Sequence, residues 1–265
     1  MTRPPRPIRH TLRLYGHRGA PSRFPENTLA GFAAALQEGA NALELDIHRT
    51  ADRRFVVAHD PDGRRTAGVP EQIRSVTLDQ VKRWQLAPGI PRTDPGGLSV
   101  PTLEEVLEAF PDVPMSIDLK PDDPAAVPPL LELLARQGAS SRVTLASFST
   151  RIVRSIRRLG YPGRTALSKV EVAIVRLLPA AVARHFVLGD VAAVPVKQGP
   201  VRLDASSFIA RCHRLGLRLD YWVVNDPEEA RRLLDAGATG IVTDDPARIV
   251  PVFRERWGSG PHSPS

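Results

Sequence analysis

Short apolar runs alternate with amphipathic stretches along most of the chain. The runs predict eight β-strands, at residues 12–16, 42–48, 114–120, 142–146, 164–168, 191–196, 218–224 and 240–243. Helical patterns follow at residues 29–38, 103–110, 125–137, 150–159, 170–184, 205–215, 227–236 and 246–254. Strands alternating with helices favour a parallel sheet, and eight strands close into a barrel. The expected fold class is therefore α/β, a TIM (β/α)8 barrel.

One region does not fit the simple strand–helix repeat. Residues 60–100 are rich in proline and glycine and separate the second strand from the next helix. An extra short strand at 55–59 precedes them, and a helix at 78–84 lies among them. We expect a small insertion after the second strand, within a single barrel domain that spans 11–257. Residues 1–10 and 258–265 are expected to be flexible tails.

Two predicted strands alternate apolar and polar residues, which separates them onto opposite faces. In the second strand Glu44 and Asp46 share a face, and in the third strand Asp118 and Lys120 do. Because the apolar faces meet the helices, these carboxylates point into the barrel, where charge is costly unless paired or metal-bound. Oxygen ligands favour Mg²⁺ or Ca²⁺. The alternative is a buried salt-bridge layer in which Lys120 balances one acid.

Two histidines bracket the acidic pair in sequence. His17 directly follows the first strand, and His59 follows the apolar part of the run VVAHD. One imidazole can accept a proton from an attacking hydroxyl while the other donates one to the leaving oxygen. Arg18, next to His17, can hold phosphate oxygens. Trp222, at the end of the seventh strand, is expected to wall the substrate pocket.

Together, these motifs resemble the glycerophosphodiester phosphodiesterase family. The matching runs are HRG, PENT, LELDIHRT, VVAHD and IDLK, and the likeness covers nearly the whole chain. The resemblance implies a barrel with its site at the carboxyl ends of the strands. It implies an acid–base pair at His17 and His59, a divalent cation on Glu44 and Asp46, and phosphate contacts from Arg18 and Lys120.

The third metal ligand departs from the family pattern. That family usually has Glu where this chain has Asp118, and one methylene fewer shortens the reach by roughly 1.3–1.5 Å. Sphingomyelinase D-type barrels resemble the site and use Asp there. They are secreted and disulfide-bonded, however, which the lone Cys212 argues against. Glu26 and Asn27, in PENT, are either supports for the site or part of an ordinary helix-capping loop.

The resemblance implies metal-dependent hydrolysis of glycerophosphodiesters through a cyclic phosphate. The products would be sn-glycerol 3-phosphate and an alcohol such as choline or ethanolamine. One alternative is a phospholipase D-like enzyme acting on lysophospholipids, which needs an apolar groove. The other is a barrel that binds phosphodiesters without turnover.

The charge and the cysteine content of the chain limit the partners and the cellular location that we expect. The net charge of +7 comes from scattered arginines, and no nucleic-acid-binding motif is present. We expect a small-molecule substrate and no nucleic acid. The chain has no signal-peptide pattern and no run of 18 apolar residues, so we expect no transmembrane segment and a cytoplasmic location.

Overall fold

Eight parallel strands form a barrel in the computed structural model, which describes residues 11–86, 98–120 and 122–257. They are β1 Arg13–His17, β2 Ala42–Arg49, β3 Met115–Leu119, β4 Val143–Ala146, β5 Arg164–Thr165, β6 Val191–Pro195, β7 Arg218–Trp222 and β8 Gly240–Thr243. β1 pairs with both β2 and β8. Between β5 and β6, a parallel bridge joins Ala166 to Val191. The predicted TIM barrel is confirmed.

Helices follow the strands as the amphipathic stretches predict. They are α1 Leu29–Gln37, α2 Leu103–Ala109, α3 Val127–Arg136, α4 Thr150–Arg158, α5 Lys169–Leu177, α6 Ser206–Arg214, α7 Pro227–Asp235 and α8 Pro246–Trp257. The prediction of one helix over 170–184 is wrong. Leu178 is extended, because it precedes Pro179, and a separate turn of helix follows at Ala180–Ala183.

The insertion after β2 begins with a strand, Phe55–Val57, that pairs antiparallel with β2. A two-stranded hairpin follows, formed by Asp62–Gly63 and Val69–Gln72. The insertion also has three short helical turns, at Arg64–Ala67, Ile73–Ser75 and Leu78–Val81. The insertion has its own apolar cluster, which includes Val56, Ile73, Val81 and Trp84. The rest of the predicted insertion, residues 87–97, and both predicted tails lie outside the described residues.

The alternation along β2 separates the helix-facing core from the barrel interior. Leu43, Leu45 and Ile47 are completely buried within the main apolar cluster. Glu44 and Asp46, between them, line a cavity inside the barrel. The polar residues of β2 therefore face inward, as the pattern predicts. Across the part of the chain described, the helices are too short and too polar to cross a membrane.

Candidate active site

The parallel register places residues from three strands side by side. His17 on β1 lies opposite Glu44 on β2, and Asp46 lies opposite Asp118 on β3. A cavity of about 680 Å³ opens above them. All eight site residues predicted from the sequence line it: His17, Arg18, Glu44, Asp46, His59, Asp118, Lys120 and Trp222. The structure therefore brings the whole predicted set together.

His17 is held by a carboxylate from the last strand. Its Nδ1 lies 2.6 Å from Oδ1 of Asp244, directly after β8, and its Nε2 lies 3.8 Å from Oε2 of Glu44. Burial favours the neutral ring, but the Asp244 hydrogen bond and the charge of Glu44 outweigh it, so the pKa of His17 is raised. Asn225 donates to the other oxygen of Asp244 at 2.7 Å. The contact to Asp244 leaves Nε2 of His17 as the ring nitrogen beside Glu44.

His59 has a carboxylate partner of its own. Its Nδ1 lies 2.8 Å from Oδ1 of Asp60, and Arg65 donates to the other oxygen of Asp60 at 2.7 Å. Arg65 also donates twice to Glu26, at 2.6 and 2.7 Å. His48 lies with Nε2 3.0 Å from the backbone oxygen of His59. This chain of contacts ties His59 to the loop after β1.

Two of the three carboxylates, Asp46 and Asp118, share Lys120 as a counter-charge. Lys120 Nζ lies 2.8 Å from Asp46 and 2.7 Å from Asp118, and Arg18 Nε lies 3.2 Å from Asp46. Burial, followed by the charge of Asp46, raises the pKa of Glu44 to about 8. Burial also raises the pKa of Asp118 despite its contact with Lys120. The salt-bridge alternative is thus realised in part, at Asp46 and Asp118.

Two of these carboxylates have oxygens with no hydrogen-bond partner in the described residues. Glu44 Oε2 and Asp118 Oδ1 are both buried. Unpaired buried anionic oxygens are costly, and oxygen donors suit Mg²⁺ or Ca²⁺, so the chemistry of the set fits a divalent cation. However, no three acidic, histidine or cysteine side chains in the described ranges are spaced to enclose a metal as they stand. Asp118 instead accepts a hydrogen bond from Lys120 Nζ at 2.7 Å through Oδ2.

A tight turn after β1 sets the position of Arg18. Arg18 has a φ of 53°, and Gly19, the next residue, has a φ of 95°. A Cβ on Gly19 would lie 2.6 Å from the backbone carbon of Gly31 in α1, so only glycine fits there. The backbone N–H of Arg18 donates to the Glu44 carbonyl at 2.8 Å. The HRG motif thus turns Arg18 towards the cavity while Gly19 packs against α1.

Glu26 and Asn27 support the site. Glu26 Oε1 lies 3.3 Å from Arg18 Nη1. Burial would raise the pKa of Glu26, but its contacts with Arg65 and Arg18 outweigh burial and lower it. The side-chain amide of Asn27 donates to Asp46 Oδ2 at 3.4 Å, and the Asn27 backbone has a positive φ of 56°. Of the two interpretations of PENT, the geometry favours site support, while Thr28 also caps α1.

Sequence reasoning missed Asp244, Asn225, Asp60 and Arg65. A signal exists for Asp244, because it immediately follows the last strand, and the last strand of a closed barrel lies beside the first. Asp60 directly follows His59. Arg65 carries no signal, since its position depends on how the insertion folds back.

Comparisons with known proteins identify the same family that the sequence motifs resemble. The glycerophosphoryl diester phosphodiesterase family matches residues 17–248. "Probable glycerophosphodiester phosphodiesterase 2" of Mycobacterium tuberculosis is 30% identical over 94% of this chain and 95% of its own length. "Lysophospholipase D GDPD1" of Rattus norvegicus is 26% identical over 91% of this chain and 86% of its own.

Solved structures agree on the fold. A glycerophosphodiester phosphodiesterase from Agrobacterium tumefaciens has a TM-score of 0.76 at 23% identity, covering 94% of this chain and all of its own. An Oleispira antarctica phosphodiesterase, solved with sn-glycerol-3-phosphate, has a TM-score of 0.71 at 19% identity and covers 91% of this chain and 96% of its own. The chain belongs to the glycerophosphoryl diester phosphodiesterase family and is a phosphoric diester hydrolase.

Proposed function

We propose that this chain hydrolyses glycerophosphodiesters to sn-glycerol 3-phosphate and an alcohol, with His17 and His59 as the acid–base pair. The observation that carries the proposal is one cavity containing two histidines, each hydrogen-bonded to its own carboxylate, beside Arg18 and Lys120. The product found with the Oleispira antarctica relative is the product proposed here.

In the first step, the glycerol 2-hydroxyl attacks phosphorus and the bond from phosphorus to the alcohol oxygen breaks. One histidine accepts the hydroxyl proton, and the other donates a proton to the departing alcohol. Arg18 and Lys120 hold the non-bridging phosphate oxygens. In the second step, water opens the cyclic phosphate while the histidines exchange roles, and sn-glycerol 3-phosphate is released.

A divalent cation completes the proposal, with Glu44, Asp46 and Asp118 as its ligands. Support comes from the unpaired oxygens of Glu44 and Asp118 and from the raised pKa of both groups. When bound, Mg²⁺ or Ca²⁺ would neutralise charge on the phosphate oxygens. Lys120 bridges Asp46 and Asp118 and would then be shared between these acids and the phosphate.

The test is release of glycerol 3-phosphate from glycerophosphocholine and glycerophosphoethanolamine. Wild type is assayed with chelator and then with Mg²⁺ or Ca²⁺ restored, beside His17→Ala and the control His185→Ala, an exposed histidine outside the cavity. We expect metal-dependent release that His17→Ala abolishes and His185→Ala preserves. A folded wild type that releases nothing with any metal would contradict the proposal and favour a barrel that only binds phosphodiesters.

A lysophospholipid is the second candidate substrate, favoured by the apolar wall of the cavity. Away from the carboxylates, the lining is mostly aliphatic and includes Leu167, Val172, Leu177, Val194 and Leu203. This groove lies between α5 and β6. Faster turnover of lysophosphatidylcholine than of glycerophosphocholine would favour this candidate.

A cytoplasmic location remains part of the proposal. Its support is Cys212, the one cysteine of the chain, which is buried and free. Fractionation of the source cells with an antibody to the chain would test it.

A further inference from the structure

Two cationic side chains line the cavity away from the phosphate site. Lys169 begins α5 and Arg176 lies two turns later on the same helix, and both face the cavity. Residues seven apart on a helix share a face, which the two intervening cavity residues, Val172 and Ala173, also occupy. The proposed reaction uses neither cation.

These two cations lack a negative partner in the described ranges of the chain. Arg18 pairs with Asp46, and Lys120 pairs with both Asp46 and Asp118. Neither Lys169 nor Arg176 makes such a pair, and Nε of Arg176 is buried without a hydrogen-bond partner. Arg176 is only half-buried and Lys169 is exposed, so both can be reached from the cavity, and two cations without an anion beside them suit an anion that comes with the substrate.

The ring of Phe148 lies near both Lys120, at the proposed phosphate site, and Lys169. Lys120 Nζ lies 5.4 Å from the centroid of its ring, and Lys169 Nζ lies 5.2 Å from the same centroid. Trp222 packs edge-on against that ring at 6.1 Å. A phosphate held by Lys120 is therefore separated from Lys169 by one aromatic ring, which is within the reach of a short alcohol.

We propose that Lys169 and Arg176 bind a second anionic group, a carboxylate or a phosphate, on the leaving alcohol of the substrate. The inference rests on the proposed function and names its substrate class: glycerophosphodiesters with an anionic head group. The group must be on the alcohol, because the other arm of a glycerophosphodiester is uncharged glycerol. Bidentate recognition by Arg176 would give the site its geometry, and Lys169 would add charge.

The sharpest test uses two soluble substrates that differ by one carboxylate. These are sn-glycero-3-phosphoethanolamine and sn-glycero-3-phosphoserine, assayed for glycerol 3-phosphate release under the same metal and salt conditions. We expect kcat/KM to be at least about tenfold higher for the serine compound, the usual gain from one charged hydrogen bond. Glycerophosphoglycerol, compared with its terminal phosphate ester, tests the phosphate arm in the same way.

Variants show whether these two residues cause the preference. Arg176→Ala and Lys169→Ala should each reduce the serine-to-ethanolamine ratio about fivefold or more, mainly through KM, and Arg176→Lys should retain part of it. The control is Arg158→Ala, an exposed arginine in the last turn of α4 and outside the cavity. It removes the same charge and should leave the ratio unchanged.

The outcomes separate this inference from the proposed function. Turnover of the ethanolamine compound with no preference for either anionic substrate would overturn the inference alone. So would a preference that survives both alanine variants. If the variants instead lose binding to phosphatidylglycerol vesicles without changing the ratio, the cations serve a lipid surface and the inference is wrong. Absence of glycerol 3-phosphate from every substrate would overturn the proposed function itself.

Discussion

His17 and Asp244 are joined by a 2.6 Å contact between Nδ1 and Oδ1, although 227 residues separate them in the chain. The contact exists because β1 and β8 are neighbours in the barrel, with Gly16 opposite Thr243. Asp244 thereby holds the ring that the sequence predicts to be catalytic. Asn225 holds Asp244 in place, because its side-chain oxygen also accepts a hydrogen bond from the Asp244 backbone N–H at 2.8 Å.

Asp244→Ala should lower kcat about 100-fold or more, because an unoriented imidazole presents the wrong nitrogen to the substrate. Asp244→Asn keeps the shape but can donate to Nδ1 and fix the wrong tautomer, so it should lose at least as much. The measurement is kcat for glycerol 3-phosphate release, with circular dichroism to confirm folding. Asp245→Asn, the next carboxylate, serves as the control because its partner is Arg23.

The pH profile should distinguish orientation from a general structural effect. Asp244 and Glu44 raise the pKa of His17 against the opposing effect of burial. Removing the Asp244 charge should lower that pKa, so the limb of the rate profile that belongs to His17 should move to lower pH in Asp244→Asn. A limb that stays in place would show that Asp244 does not tune His17.

Asp118→Ala should raise the Mg²⁺ concentration needed for half-maximal activity about 10- to 100-fold, as loss of a metal-site contact commonly does. Asp118→Glu restores the longer reach and should need no more metal than wild type. Titration of activity with Mg²⁺ measures both, and Asp122→Ala, an exposed carboxylate after β3, is the control. An unchanged requirement in Asp118→Ala would remove Asp118 from the proposed ligands.

Glu171→Gln should destabilise the fold by about 3 kcal/mol, because buried Glu171 accepts from Arg157 at 2.8 Å and from the N–H groups of Ser168 and Leu188. Burial would raise its pKa, but Arg157 and these donors lower it. A lowered pKa gives stability that is present above the unfolded value, about 4.3, and is lost as the pH falls through the folded value.

The stability difference between wild type and Glu171→Gln should therefore be full at pH 7 and shrink below about pH 4. Urea denaturation at several pH values measures it. Exposed Glu132→Gln should change stability little at any pH. A difference that persists unchanged at pH 3 would contradict an ionised Glu171 in the folded state.

Gly19→Ala should lower the free energy of unfolding by about 3 kcal/mol or more, since the new Cβ would meet the backbone of Gly31. Gly138→Ala provides a matched control. Its φ of 60° is also positive, but no atom lies within 4 Å, so only the backbone strain of about 1–2 kcal/mol remains. Equal losses in the two variants would show that crowding under α1 is unimportant.

Much of the fold could be predicted because strand patterns are local. The alternation of Leu43, Leu45 and Ile47 with polar residues predicts which side of β2 meets the helices. The same alternation in β3 predicts that Asp118 faces the barrel interior. Asp244 and Arg65 could not be placed in this way, because their roles depend on barrel closure and on how the insertion folds back. Pro179 signals the break at Leu178, but the apolar period continues on both sides of it and favours a single helix. The catalytic and metal roles of the predicted residues and the limits of the domain remain predictions.

The pairing of β1 with β8 has a consequence for biosynthesis. His17 emerges early from the ribosome, while the carboxylate that orients it is added only after residue 243. A nascent chain holding all three acids and both histidines still lacks that partner. Premature termination or cleavage before β8 should therefore yield inactive protein, so that hydrolysis begins only with a complete barrel.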